Sequence, residues 1–209
     1  MTMAAQLPRF SGLRDPILGA QATFRSVMSA MANPGRIEEV PASADMPDPL
    51  AMSLATIALT LIDHDTPVYL DPAFAREREI AASLSFHTGC RFVEAPSVAA
   101  FALIGDPEKC PELSHFSQGS LEYPDRSTTL LLQVASLGNE GAFRLNGPGI
   151  HGSRSFVAAP LPRRLCEELR ANHERFPQGV DLIFCCGSRL AALPRSTRIA
   201  KRGASCTSR

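Results

Sequence analysis

Residues 16–31 carry apolar side chains at a spacing of three to four positions. This spacing predicts an amphipathic helix with one apolar face. The face consists of Ile17, Gln21, Phe24, Met28 and Met31, and Val27 widens it. Asp15 is suited to cap this helix and Pro16 to occupy its first position, whereas Asn33-Pro34-Gly35 predicts its end.

Start and stop signals predict three further helices, over about residues 50–62, 73–86 and 162–173. Asp48-Pro49 and Asp71-Pro72 mark the beginning of the first two, and Gly89 marks the end of the second. The first of these segments is apolar on all sides, which is typical of a buried core helix.

Short continuous apolar runs lie between the helices, at residues 68–70, 100–104, 128–135 and 180–185. Such runs predict strands that are covered on both faces. Residues 142–146 alternate instead, so that Arg144 and Asn146 share the face opposite Leu145. We expect hairpins at residues 137–141 and at Gly187-Ser188. Buried strands that alternate with helices predict an α/β sandwich with a mixed sheet.

The chain of 209 residues suits a single domain. We expect a flexible N-terminal segment over residues 1–14, one α/β domain over 15–199, and a basic, disordered tail over 200–209. A solvated, frayed tail is favoured over contact with an anionic partner. Residues 106–126 are polar and interrupted by prolines, which predicts a long surface loop.

Charge and cysteine content narrow the class of protein. Lysine plus arginine and aspartate plus glutamate both number 21, so no global field attracts nucleic acid or an acidic membrane. Near-neutral proteins tend to associate. No signal peptide is evident, and no apolar run reaches the ~18 residues of a membrane helix. The six cysteines form no C-x-x-C pair, which indicates reduced thiols in the cytoplasm.

One candidate for chemistry is Asp63-His64-Asp65, which puts two carboxylates and an imidazole between a buried helix and a strand. Loops at the ends of buried sheets often bind ligands. A metal site would need a further ligand at suitable spacing, and the sequence offers none. Helix capping and a turn before Pro67 explain the same residues equally well.

A second candidate is Gly147-Pro148-Gly149, which follows the strand that bears Arg144 and Asn146. Arg144 could hold a phosphate or carboxylate with two hydrogen bonds if it faces a cleft. A phosphate loop normally precedes the N-terminus of a helix, and residues 150–157 do not begin like one. A tight turn is the alternative for the glycines, and a solvated or intersubunit face is the alternative for Arg144.

The lysine content argues against pyridoxal phosphate chemistry. The chain has only Lys109, in a polar loop, and Lys201, in the tail. A Schiff base needs a lysine held in a partly desolvated pocket. We therefore expect this chain to bind no cofactor of that kind.

Several segments, in order along residues 15–199, resemble motifs of the PhnH family, a subunit of the carbon–phosphorus lyase system. They are FRSVM (24–28), MANPG (31–35), LTLIDHDTPV (59–68), LSFHT (84–88), LLLQVASL (130–137), RLNGPGI (144–150) and FPQGVDLI (176–183). Each segment is short, but the ordered series is specific.

The resemblance implies a three-layer α/β/α sandwich similar to the fold of pyridoxal-phosphate-dependent transferases, without that cofactor. It also implies a homodimer in isolation and a core complex with PhnG, PhnI and PhnJ subunits. That complex displaces adenine from ATP with an alkylphosphonate and yields a ribose 1-phosphonate 5-triphosphate. The family has no established catalytic residues, so the resemblance assigns none here.

These observations favour a structural or regulatory subunit of a transferase complex. The alternatives are a stand-alone enzyme, or a sensor of a phosphonate or nucleotide. Either would use a cleft formed by residues from the two candidate segments. The cleft would comprise Asp63, His64, Asp65, Arg144, Asn146, Gly147 and Gly149.

Overall fold

The computed structural model describes residues 9–201. Its helices are α1 (Leu18–Ala32), α2 (Met52–Leu61), α3 (Pro72–Ala75), α4 (Arg78–Thr88) and α5 (Leu165–Glu174). Its strands are β1 (Gly12–Leu13), β2 (Glu38–Glu39), β3 (Ala44–Asp45), β4 (Pro67–Leu70), β5 (Arg91–Phe92), β6 (Phe101–Ile104), β7 (Thr129–Gln133), β8 (Ser136–Asn146), β9 (Arg154–Ala159), β10 (Asp181–Cys186), β11 (Arg189–Leu193) and β12 (Arg198–Lys201).

A seven-stranded sheet has the order β2-β11-β10-β7-β6-β4-β5. Strands β10, β7, β6, β4 and β5 are parallel, and β11 and β2 join antiparallel at one edge. The predicted α/β class with a mixed sheet is confirmed. The four apolar runs became β4, β6, β7 and β10, and Gly187-Ser188 connects β10 to β11 as predicted.

The two faces of this sheet are covered differently. Helices α1, α2 and α4 bury Val27, Leu54 and Ile80 on one face, together with Leu131 of β7. The other face is covered by α5 and by a second sheet of order β12-β8-β9. This layer thus combines a helix with a sheet, whereas the expectation was helices alone. The alternating residues 142–146 account for it, because a strand with one apolar face can pack flat on another sheet.

The hairpin predicted at residues 137–141 is wrong. Strand β8 runs through this segment, and its register with β9 shifts between Gly138 and Phe143. At Gly141, a Cβ would collide with the Phe156 carbonyl of β9. The glycine therefore serves close strand approach, a use that resembles a turn signal in sequence.

The helix signals were partly correct. Asp71 accepts a hydrogen bond from the Phe74 amide at 3.0 Å and caps α3, but the predicted helix breaks into α3 and α4. Gly89 ends α4 with φ of 72°, as predicted. Helix α2 begins only at Met52, because the backbone of Ala51 is extended (φ −59°, ψ 141°), and Pro49 therefore lies outside the helix.

Residues 106–126 are more than a surface loop. Three short 3₁₀ turns shape the segment, and it buries Cys110, Leu113 and Phe116 against the sheet. The sequence prediction failed because apolar residues spaced irregularly in a proline-rich stretch give no periodic signal.

Ordered strands extend beyond residues 15–199 at both ends. Strand β1 pairs with β3, and β12, which includes Ala200 and Lys201, pairs with β8. The remainder of the two predicted terminal segments, residues 1–8 and 202–209, lies outside the described residues. Among residues 9–201, no helix combines the length and apolar character needed to cross a membrane.

Candidate functional site

Asp63, His64 and Asp65 form an exposed turn between α2 and β4. The Asp63 carboxylate accepts hydrogen bonds from the Thr66 hydroxyl at 2.6 Å and from the Asp65 amide at 3.1 Å. These bonds, led by that from Thr66, lower the pKa of Asp63. His64 Nε2 lies 3.3 Å from Asp65 Oδ2, and the two side chains are 77% and 86% exposed. This geometry matches the second interpretation of these residues, a turn before Pro67.

Arg144 and Asn146 lie on the exposed face of β8. Arg144 donates from Nε to the Ser153 hydroxyl at 2.8 Å, and Asn146 donates from Nδ2 to the Gly152 carbonyl at 2.8 Å. Both bonds close the connection from β8 to β9. The predicted alternation is confirmed, since Leu145 is fully buried between these two residues.

The glycine turn packs against the end of α1. Gly149 has φ of 78°, and a Cβ there would overlap the carbonyl oxygen of Ala32. Arg154, which begins β9, donates from Nη1 to the carbonyls of Asn33 at 3.0 Å and Pro34 at 2.7 Å. The sequence motifs around Asn33 and Gly149 therefore meet in space, and their glycines permit close backbone approach.

The two candidate segments are not joined by hydrogen bonds or ion pairs among the described residues. His64 lies against Gly89 at the end of α4, whereas Gly149 lies against Ala32 at the end of α1. Each segment has a local structural partner. Within residues 9–201, no three His, Cys, Asp or Glu side chains converge as a possible metal site.

The apolar face predicted on α1 points to solvent. We call Ile17, Gln21, Phe24, Met28 and Met31 the α1 stripe. Ile17 is 79% exposed, Phe24 49% and Met28 52%, whereas Met31 is partly buried. Apolar helix faces normally pack on the core. Here Met31 packs at the edge of the core, whereas Ile17, Phe24 and Met28 leave an apolar surface exposed to solvent.

Small residues form the opposite, core-facing side of α1. Its buried positions are Gly19, Thr23, Val27 and Ala30. Small side chains let a helix approach its neighbours closely, and α1 packs on both α2 and β11. Sequence periodicity identified the larger apolar face but not which face meets the core. The small residues on the opposite face were the signal that could have identified it.

The exposed apolar surface continues beyond α1. Met31 and Phe176 line one open cavity of about 360 Å³, together with Pro124 and Pro177. Phe176 is 58% exposed. Arg195 also lines this cavity, and it donates hydrogen bonds to the carboxylate of Asp181 and to the carbonyls of Pro124 and Pro177. The stripe and this cavity form a surface suited to a protein partner.

The cysteines serve packing. All five in the described residues are free and buried. Burial raises the pKa of Cys185 and of Cys110 to about 12, so both remain protonated near neutral pH. Their use as small hydrophobic side chains agrees with the sequence prediction, and the sixth, Cys206, lies outside the described residues.

Comparisons with known proteins are consistent along the chain. Residues 11–200 match the family described as bacterial phosphonate metabolism protein (PhnH). The chain is 36% identical over 198 residues to alpha-D-ribose 1-methylphosphonate 5-triphosphate synthase subunit PhnH of Rhizobium meliloti (strain 1021), covering 94% of this chain and 98% of the relative. It is 30% identical over 185 residues to HtxG of Stutzerimonas stutzeri, whose description names a C-P lyase subunit, covering 88% and 87%.

Proposed function

The chain belongs to the PhnH family, and from that premise we propose that it is a subunit of a carbon–phosphorus lyase core complex. In this proposal the complex transfers an alkylphosphonate onto the ribose of ATP with loss of adenine. The chain contributes structure or regulation and joins PhnG-, PhnI- and PhnJ-type subunits. Alone, it forms a homodimer in the cytoplasm, where its buried free thiols stay reduced.

The α1 stripe is the observation that carries this proposal. An amphipathic helix whose larger apolar side chains face solvent is stabilised when another chain covers them. Phe24 and Met28 stand one helical turn apart, and Phe176 extends the surface towards the neighbouring loop. Both relatives bear names of subunits, which fits a surface that is completed by another protein.

The proposal includes no pyridoxal phosphate. Lys109 is 82% exposed and donates to Asp106 at 2.6 Å. The hydrogen bond from Lys109 to Asp106 raises the pKa of the lysine. A lysine that forms a Schiff base needs the opposite change, a lowered pKa in a desolvated pocket. Support for a non-catalytic role also comes from Asp63 and Arg144, whose polar groups bond to neighbouring turns.

Placing negative charge on the stripe tests the assembly. We expect Phe24→Glu with Met28→Glu to abolish both the homodimer and co-elution with the partner subunits, because carboxylates cannot be buried in an apolar interface. Size-exclusion chromatography with light scattering measures both, after co-expression with the three partner subunits. Thermal melting should be little changed, since both side chains are already exposed.

Val98→Glu is the matched control, because Val98 is an apolar side chain 59% exposed outside the stripe. This variant should assemble like the unaltered chain. Normal assembly of the double variant would refute the α1 stripe as the docking face. Migration of the unaltered chain apart from its partners under all conditions would refute the subunit assignment itself.

A further inference from the structure

The central sheet has a point at which two neighbouring connections diverge. The connection after β4 forms α3 and α4, and it packs on the same face as α2. The connection after the adjacent strand β6 packs on the opposite face through Leu113 and Phe116. Diverging connections open a crevice at the carboxyl ends of parallel strands, where α/β proteins commonly bind ligands.

A crevice of about 70 Å³ occupies this position. We call it the switch-point crevice. It is lined by Asp71, Pro72, Ala73, Arg76, Asp106 and Lys109. They come from the two diverging connections. Gly105 lets the two connections approach each other closely, because a Cβ at this position would lie only 2.8 Å from the ring of Phe74.

Asp71 fixes the shape of the crevice. It is only 2% exposed, and its carboxylate accepts from the Phe74 amide at 3.0 Å and from the Asp106 amide at 2.9 Å. One buried side chain therefore holds both connections in register. Its charge is engaged by two amides, so Asp71 positions the rim and leaves ligand contacts to other side chains.

Two cationic side chains line the crevice. Arg76 follows α3, and Lys109 follows β6 on the other connection. Both are exposed, and Lys109 is paired with the carboxylate of Asp106. Arg76 forms no ion pair among residues 9–201, whereas Lys109 is bonded to Asp106. An ammonium has three donors and a carboxylate several acceptor sites, so Lys109 and Asp106 can each make a further hydrogen bond.

We propose that the switch-point crevice binds the terminal phosphoryl or phosphonyl group of a phosphorylated sugar. Arg76 and Lys109 hold the anionic oxygens, and Asp106 accepts a hydrogen bond from a sugar hydroxyl. The volume suits one such group, since a water molecule occupies about 30 Å³ of liquid. The rest of the ligand extends outward. The choice of ribose as the sugar rests on the proposed function, because the proposed complex acts on a ribose that bears a phosphonate and a triphosphate.

Calorimetric titration of the full chain with ribose 5-phosphate tests the crevice. Arg76→Ala and Lys109→Ala should each weaken binding about tenfold or more, since each removes a charge-assisted hydrogen bond. Arg78→Ala is the matched control, because Arg78 is an exposed arginine on the same connection outside the crevice. Its affinity should change less than twofold. Absence of binding, or equal losses in all three variants, would overturn the proposal.

Inorganic phosphate and Asp106→Asn separate the sugar from the anion. Phosphate should bind several-fold more weakly than ribose 5-phosphate, and Asp106→Asn should narrow this difference because it removes the carboxylate that accepts the hydroxyl. Equal affinities in the unaltered chain would refute the role of the sugar. Arg76→Ala should still assemble with its partners, so loss of binding with intact assembly would leave the proposed subunit role standing.

Discussion

Replacing Gly149 by alanine distinguishes a packing role from a ligand-binding role for the glycine turn. Two effects act against the new methyl group. The positive φ of 78° disfavours any residue with a Cβ, by about 1–2 kcal/mol. The Cβ also overlaps the Ala32 carbonyl, and forcing an extra group into a packed contact typically costs about 1–3 kcal/mol. We therefore expect about 2–5 kcal/mol of lost stability.

Gly152→Ala is a matched control on the same connection. Gly152 has φ of 69°, and no atom lies within 4 Å of the position that its Cβ would take. Only the backbone effect applies there, so the loss should be about 1–2 kcal/mol. The difference between the two variants isolates the contact with α1.

Urea unfolding followed by circular dichroism measures both variants, with the same slope and a lower midpoint expected. For a domain of this size, each kcal/mol corresponds to about 2–4 °C in Tm. Equal destabilisation of Gly149→Ala and Gly152→Ala would refute the packing argument. Unchanged stability of Gly149→Ala together with loss of ligand binding would favour the hypothesis that the glycine turn is a phosphate-binding loop.

Three further predictions concern stability and reactivity. Arg195→Met should destabilise the chain by about 3–5 kcal/mol, because it removes the cationic partner of the mostly buried Asp181 carboxylate and leaves only the backbone amide of residue 195 bonded to it; a loss below about 1 kcal/mol in urea unfolding would contradict this. Hydrogen bonds from Ser11 hold the pKa of Asp45 below its usual 3.8, so this contribution is present above that pH and is lost as pH falls through the lower folded value. Asp45→Asn should therefore flatten the acid decline in unfolding midpoint, and an unchanged profile would contradict it. Iodoacetamide at pH 8 should leave Cys185 unlabelled in the folded chain and label it in urea, as read by peptide mass spectrometry; rapid labelling of the folded chain would contradict its burial.

The strands were predictable because their signal is local. Each of β4, β6, β7 and β10 is a continuous apolar run, and a strand covered on both faces requires little else. Caps were predictable for the same reason, as Asp71 and Gly89 show. The α/β class followed from the alternation of such elements.

What failed depended on distant neighbours. The orientation of α1 is set by close contact with α2 and β11, which the spacing of Phe24 and Met28 cannot reveal. Gly141 indicated a turn because glycine is common both in turns and where two strands approach closely, and the sequence does not distinguish the two uses. The switch-point crevice was missed because Arg76 and Lys109 are 33 positions apart in the sequence, and only the order of strands in the sheet brings both to its lining.

The junction at the end of α1 has an evolutionary consequence. Ala32 and Gly149 meet directly, Gly35 packs on Leu145, and Arg154 bonds to the turn after α1. A side chain gained at position 149 would require a shift of the α1 terminus, which would in turn move the helix that carries Phe24 and Met28. Substitutions in these two segments should therefore covary among related sequences, and a change in the loop would reposition the exposed α1 stripe more than 100 residues away in the sequence.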